Sequence, residues 1–490
     1  MKAIRYIQCM CIALSVLFIS CEDVLEENVY DQLAPENFLT NTEGMESVMG
    51  AAYAATANMR VNNSIYTFAQ MEWTTDIMWQ TGDGVNATAV QYINFTWDPT
   101  VGLLRGENWD WPYQGIRNAN IILDNMETLE ATDSIKTLYA AEARFLRVIN
   151  YYKMYLNFGP VPLRTSTAEP LQLPRASEEE MLSFIENEWL NVIPDLPNPG
   201  DEVAYGRAHK AAAQGYLAEF YMNTRQWNNA AEMTATIINQ WDYSLFPEYE
   251  DLFKVENERN AELIWVRPAK SSADRYTANS WMNAAYPPDF AKDPRTGLEF
   301  KSAWRNWPNE FRILDDFYNS FDPEDERRTL ILTEYINTAG DTISLLNEDN
   351  TRSFKFWPDP EGANASYGND IPEIRYADIL LLRAEALNEI NGPNQESIDL
   401  INMVRERAGL EGIQLANFSG QESLRNHILQ ERGWEFYSEG KRRNDLIRMG
   451  QYISNAQARG ITNAQAFHVR FPIPLDVMDS NPELVQNEGY

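Results

Sequence analysis

The sequence predicts a mainly α-helical protein. Its scaffold is one of tetratricopeptide-like helix-turn-helix repeats, interrupted by two long irregular insertions. Three observations predict this. Apolar residues recur at helical spacing in blocks that open on capping signals and close on Gly or Pro. Pairs of these blocks join into hairpins with small and aromatic residues at repeat-like positions. Two stretches, about 59–111 and about 243–371, are instead rich in Gly, Pro, Asn, Asp and aromatics and hold no sustained period.

The helices follow in order. Thr40-x-x-Glu43 reads as a capping box before Met45, Val48, Met49 and Ala52, which share one helical face. Trp109 and Trp111 lead into a helix over 116–126 and are assigned to the core. Leu138, Ala141, Phe145, Ile149, Tyr152 and Leu156 line one face of a long helix that stops at Gly159-Pro160. Ser177-x-x-Glu180 is a second capping box, opening a helix through Met181, Ile185 and Trp189. Segments 208–221 and 227–238 form a hairpin around Thr224-Arg225-Gln226. In it Ala218, Tyr221, Trp227 and Ala230 stand where repeats let helices approach on small residues and fill the groove with aromatics. Segments 379–390 and 397–407 form a weaker copy across Asn391-Gly392-Pro393, and 422–437 is a last long helix.

Charge excludes one class of partner. Lys and Arg number 40 against 72 Asp and Glu, a net charge of −32, so a basic nucleic-acid surface is not expected. Residues 1–20 read as a signal peptide: Lys2 and Arg5 precede an apolar run over 9–19 that is too short to span a bilayer. It ends Leu17-Phe18-Ile19-Ser20-Cys21, which resembles a bacterial lipobox with Phe18 in place of the usual Leu. Cys21 is the expected lipidation site, followed by a polar tether over 22–37. Cys9 and Cys11 would leave with the leader, so no disulfide is expected within the mature chain. No later apolar run is long enough for a transmembrane helix.

Catalytic signatures are missing. The chain has no His-Glu-x-x-His, Cys-x-x-Cys or Gly-x-Ser-x-Gly, and His209, His427 and His468 are far apart and read as surface or capped-core residues. The run from Gly82 to Ala87 formally matches Gly-x-Gly-x-x-Ala, but without a preceding strand and a following amphipathic helix it reads as a turn. No catalytic residue, metal ligand or cofactor is assigned, although a carboxylate pair meeting across a cleft cannot be read from spacing.

Aromatic placement points to binding. Ten of the 14 tryptophans fall in the two insertions. Trp79, Tyr92 and Trp97 lie among Gln80, Asp83, Asn86 and Asn94. Tyr276, Trp281, Tyr286, Trp304 and Trp307 lie among Arg275, Asn279, Asn283, Arg305 and Asn306. Sugar rings stack their C–H faces on flat aromatics and need amide or guanidinium partners for their hydroxyls. These eight aromatics are the candidate ligand-binding residues.

The C-terminal third carries a specific resemblance. Ile371 to Asn388 (IPEIRYADILLLRAEALN) is similar to the signature helix of the SusD/RagB family, and Ile401 to Leu410 (INMVRERAGL) to the helix after it. Glu431-Arg432, Glu435-Phe436, Glu439-Gly440, Arg442 and Asp445-Leu446 follow the family pattern, with Met449 replacing a common Trp. Phe471-Pro-Ile-Pro474, Asn481-Pro482 and Gln486-Asn487-x-Gly489-Tyr490 resemble its ending, and Tyr151-Tyr152 through Leu163 matches upstream. The resemblance implies a single SusD-like domain over 38–490. It implies a surface lipoprotein anchored at the outer membrane through Cys21 and facing the exterior, with Glu22-Asp23 resembling an export signal. It implies binding of a glycan without cleavage, its ligand aromatics supplied by the insertions, and a SusC-like TonB-dependent β-barrel transporter as partner. A peptide or other non-glycan nutrient in the same lid role is one alternative, and a glycoside hydrolase another. Within the signature, Arg375, Asp378 and Glu385 suit ion pairs along or between helices and are read as structural.

Overall fold

The computed structural model describes residues 38–57, 69–80, 82, 84–271, 278–308 and 310–490. The leader, Cys21, the tether and Tyr276 lie outside the described residues.

Helices dominate. α1 (Thr42–Ala57) starts where Asn41 Oδ1 accepts the Gly44 N–H at 2.9 Å, so the capping bond comes from Asn41, one residue after the Thr40 read from sequence. A short α2 (Asn86–Ile93) begins inside the Gly82–Ala87 run, so its last two residues are helical rather than part of a turn. α3 (Trp111–Asp124) and α4 (Asp133–Phe158) pack on each other and on α1. α4 opens on Thr132, whose side chain accepts from Ile135 N–H, and closes at Gly159 with φ 72°. The positive φ favours glycine there, and the Arg470 guanidinium lies close over the position, 2.6 Å from where a Cβ would stand. α5 (Glu178–Val192) has both bonds of the expected capping box, Glu180 N–H to Ser177 Oγ at 3.2 Å and Ser177 N–H to Glu180 Oε2 at 2.8 Å.

The two expected hairpins form. α6 (Lys210–Asn223) packs on α7 (Trp227–Gln240). His209 is the N-cap of α6, its Nδ1 accepting the Ala212 N–H at 3.2 Å. Trp281–Ala285 (α8) and Asp315–Asn319 (α9) are short helices of the second insertion. α10 (Tyr376–Asn391), the family-like signature, packs on α7, on α11 (Gln395–Arg407) and on α12 (Gln421–Phe436). α13 (Arg442–Arg448), α14 (Tyr452–Ala458) and α15 (Leu475–Ser480) complete the chain.

Strands are short and belong to the two irregular stretches and their edges. β1 (Met78–Trp79) pairs antiparallel with β4 (Arg312–Ile313), which ties the first stretch to the second. β2 (Leu263–Arg267) pairs with β9 (Ile371–Arg375), bracketing the second stretch at its base. Between them β3 (Phe290–Lys292), β6 (Glu334–Asn337) and β7 (Thr342–Ser344) form one small sheet, and β5 (Ile331–Leu332) pairs with β8 (Arg352–Ser353). A single hydrophobic core runs through scaffold and insertions alike, with a second cluster between α10, α11 and α12.

A lattice of buried ion pairs fastens the insertion to the scaffold. Arg375, at the end of β9, donates to Glu435 Oε1 at 3.0 Å, to both Glu439 oxygens at 2.8 Å, and to Glu262. Arg407 joins Glu262 to Glu435 at 2.9 and 2.5 Å. From the insertion, Arg327 reaches Glu431 at 2.6 Å and Glu435 at 3.3 Å, and Lys355 reaches Glu439 at 2.5 Å. The other two signature residues pair as expected: Asp378 with Arg432 at 2.7 Å, and Glu385 with Arg448 at 2.7 Å. Burial pushes the Glu435 carboxyl up, but Arg407, Arg375 and Arg327 outweigh it and hold it at about 2.

Two outcomes are expected from that carboxylate. Glu435→Gln leaves guanidinium charge buried and uncompensated, at a cost of about 3–5 kcal/mol read by thermal unfolding at neutral pH. A carboxyl depressed below its ordinary 4.5 contributes stability that is present above that pH and lost as pH falls toward about 2. The melting temperature of the variant should therefore change less than that of the parent across this window.

Candidate binding surface

Five of the eight aromatics expected to bind ligand are core residues. Tyr92, Trp97, Trp281, Tyr286 and Trp304 are each no more than 6% exposed. Their faces are covered by other rings. Tyr92 lies against Trp73 and Trp97, with Phe471 edge-on at 5.7 Å. Trp97 donates its indole N–H to Tyr490 Oη at 2.7 Å. Trp281 packs 4.9 Å from Phe311 and donates to Ser353 O. Tyr286 is sandwiched by Phe290 at 5.4 Å and Trp304 at 5.9 Å, with interplanar angles of 28° and 12°. A ring enclosed in this way offers no face to a sugar. Their physical role is to stiffen the insertions, since offset and edge-on aromatic pairs add about 0.5–1.5 kcal/mol each beyond area burial.

Trp79 and Trp307 differ: both are half-buried. Trp79 is held by the β1–β4 pairing opposite Arg312, whose guanidinium carbon lies 5.6 Å from the ring centroid. Its indole N–H donates to Asp349 O at 2.5 Å. Asp349 and Asp315 exchange backbone N–H to carboxylate bonds, both 2.8 Å, which clips that turn to the start of α9. Burial lowers the Arg312 pKa from its ordinary value, with Glu348 partly offsetting it. Trp79 also edges a groove of about 370 Å³ with Asp76, Asp316, Ser320, Gln430 and Arg459.

Trp307 sits where the 303–311 loop meets α8. Its N–H donates to Asn283 O at 2.6 Å, and the flanking bonds Arg305 N–H to Asn364 O and Phe311 N–H to Ala284 O fix the loop on both sides. The amides named from sequence are used in this framework. Asn283 Nδ2 bonds Ser280 O and Ala365 O, Asn306 Nδ2 bonds Pro287 O, and Gln80 Nε2 bonds Gly82 O. Their oxygens are another matter. Gln80 Oε1, Asn283 Oδ1 and Asn306 Oδ1 are buried acceptors without a donor. Each belongs to a residue adjacent in chain to, or bonded with, one of the two half-exposed tryptophans. Similar unpartnered oxygens occur elsewhere in the interior, at Asn369 Oδ1 and Asn388 Oδ1 among others.

Two neighbouring carboxyls are raised toward neutral pH, as an acid–base pair would be. Burial pushes Glu258 up to about 7 and Asp370 to about 6, and the two meet where Asp370 N–H donates to Glu258 Oε1 at 3.2 Å. Asp370 is occupied, however: its oxygens accept from Ala269 N–H at 2.9 Å and Tyr205 Oη at 2.7 Å. This arrangement pins β2 and the loop before β9. Among the described residues, no three His, Cys, Asp or Glu side chains gather as a metal site.

The fold and this surface can now be set beside known proteins. A model of the SusD family matches residues 217–490, more than half of the chain. The chain belongs to the SusD family. A second model, described as starch-binding and associating with the outer membrane, matches residues 23–222. Among curated relatives, the chain is 27% identical to a SusD-like protein P25 of Formosa agariphila, over 96% of this chain and 97% of that one. It is 25% identical to the starch-binding protein SusD of Bacteroides thetaiotaomicron, over 83% and 82%. Among solved structures it resembles a laminarin-binding SusD-like protein with a TM-score of 0.79 and 23% identity, covering 92% of this chain and all of the other. That likeness is one of fold. Among the described residues no helix is long and apolar enough to cross a membrane.

Sequence reasoning could not separate Trp79 and Trp307 from their buried neighbours, because all lie in aperiodic, polar-rich stretches. It passed over Trp357, which is also half-buried. The division between buried and half-exposed rings has a measurable consequence. Trp281→Ala should lower unfolding stability by about 3–5 kcal/mol, as large-to-small core changes do. Trp79→Ala and Trp307→Ala should each cost less than about 2 kcal/mol, measured by denaturant unfolding of the three variants in parallel.

Proposed function

We propose that this SusD-family chain binds an oligosaccharide at the surface around Trp79 and Trp307, without cleaving it. We further propose that it passes the sugar to a SusC-like TonB-dependent β-barrel transporter while anchored through a lipidated Cys21 on the outer face of the outer membrane. The observation that carries the binding reading is that Trp79 and Trp307 stay half-exposed over a foundation of enclosed rings. A rigid ring presented at the surface loses little entropy when a sugar stacks on it. Family membership, and relatives named for binding starch and laminarin, support a glycan as the ligand. Asp370, which already accepts from Ala269 N–H and Tyr205 Oη, supports binding without hydrolysis. Support for the anchor is the lipobox-like run ending at Cys21 together with the outer-membrane description of the matching family model.

The test of binding is calorimetry of the purified mature chain against a glycan panel that includes starch and laminarin. Loss of one stacking platform, in Trp79→Ala or Trp307→Ala, should weaken the bound glycan about tenfold. Unchanged affinity in both variants would remove the assignment of this surface, and new reducing ends in the incubated glycan would make the protein an enzyme. The anchor has its own readout. Cys21→Ala should move the protein from the outer-membrane fraction to the soluble fraction and abolish its co-purification with a β-barrel partner.

A further inference from the structure

We propose that the second insertion carries a separate carbohydrate groove, between Trp357 and Tyr318, that takes neutral hexose oligosaccharides. The groove is about 420 Å³, and its lining includes Trp357, Tyr318, Arg328, Asp293, Thr333 and Glu334. That volume is in the range of about 300–1,000 Å³ usual for small-ligand sites.

Trp357 is the decisive residue. The insertion encloses Trp265, Trp281 and Trp304, whereas Trp357 stays half-exposed at the groove. Its position is fixed all the same. The Trp357 carbonyl accepts from Asn369 Nδ2 at 2.8 Å, and the ring meets Phe354 edge-on at 6.4 Å. The Lys254 ammonium lies 5.6 Å from its centroid, and Lys254 is not part of the groove wall, which Trp357 lines while half-exposed.

Tyr318 supplies the second flat surface. Its hydroxyl accepts from Arg328 Nη2 at 2.7 Å, and the guanidinium carbon lies 4.6 Å from the ring centroid. The guanidinium therefore stacks over one face of the Tyr318 ring and holds it in place at the groove, where both residues line the wall. Thr329 and Thr333 add hydroxyls along the wall.

The charge of the wall selects the sugar class. Asp293, Glu324, Asp325, Glu326 and Glu334 outnumber Arg295 and Arg328, on a chain of net charge −32. A uronate or sulfated glycan would meet like charge, whereas neutral hydroxyls find donors and acceptors.

This groove is distinct from the one at Trp79. α9 separates them: Asp316, Phe317 and Ser320 edge the Trp79 groove, while Tyr318 edges the other. Two grooves on one chain would let a polymer bind at both, gaining avidity without a new contact.

The experiment is ¹⁹F NMR of the full mature chain labelled with 5-fluorotryptophan, titrated with laminarihexaose and with maltohexaose at millimolar concentrations. The Trp357 signal is identified by its loss in Trp357→Phe. It should shift with at least one of the two sugars, and still shift in a Trp79→Ala/Trp307→Ala background, which separates this groove from the surface proposed above. A sulfated carrageenan hexasaccharide should leave it in place. An unmoved signal with both neutral sugars, a shift lost in the double variant, or an equal response to the sulfated sugar would each overturn the proposal.

Discussion

Arg375 and the carboxylates around it are the constraint on which the rest of the structure depends. The side chain stands at the point where β9 ends the second insertion and α10 begins the scaffold, and it binds Glu262, Glu435 and Glu439 in the interior. Charges so deeply buried cost several kcal/mol each to desolvate, so the arrangement survives only with every partner in place. Arg407, Arg327 and Lys355 complete it, and Lys355 adds bonds to the Glu435 and Tyr437 carbonyls at 2.8 and 2.9 Å. Apolar packing alone would allow the insertion to slide over the helices. A lattice of directional pairs allows one registry.

That registry positions the surface. β8, β4 and β1 follow from one another across the insertion: Ser353 pairs with Ile331, Thr351 bridges Ile313, and Arg312 faces Trp79. Lys355 lies two residues beyond Ser353, so the buried lattice and the half-exposed Trp79 are joined by a short run of paired backbone. The enclosed rings do the complementary work. Phe311 touches both Trp73 and Trp281, linking the first irregular stretch to the second through aromatic contacts. Trp79 and Trp307 are therefore outer members of a rigid layered assembly.

Much of the scaffold was legible in the sequence because helices announce themselves locally. The 177–180 capping box, the stop at Gly159 and the turn at Gly392 depend on residues within a few positions of one another. The family-like signature was legible for the same reason, and its charged residues pair as their types suggest. The one-residue error at Asn41 arose because two capping residues stand in tandem. The site was harder. Burial of Tyr92 depends on Phe471, and that of Trp97 on Tyr490, partners several hundred residues away. Enclosure of Tyr286 depends on a loop that returns with Trp304. In a stretch without period nothing local distinguishes a ring that will be covered from one that will not, so composition located the aromatic layer but not its exposed members.

The account rests on the claim that the half-exposed rings, and not the enclosed ones, meet the ligand. A crystal structure of the mature chain with a bound oligosaccharide tests it most directly. The predicted result is sugar rings stacked on Trp79 and Trp307 with the enclosed rings unmoved. A sugar seated against an opened Trp281 or Tyr286, or lying wholly on another face of the molecule, would contradict it.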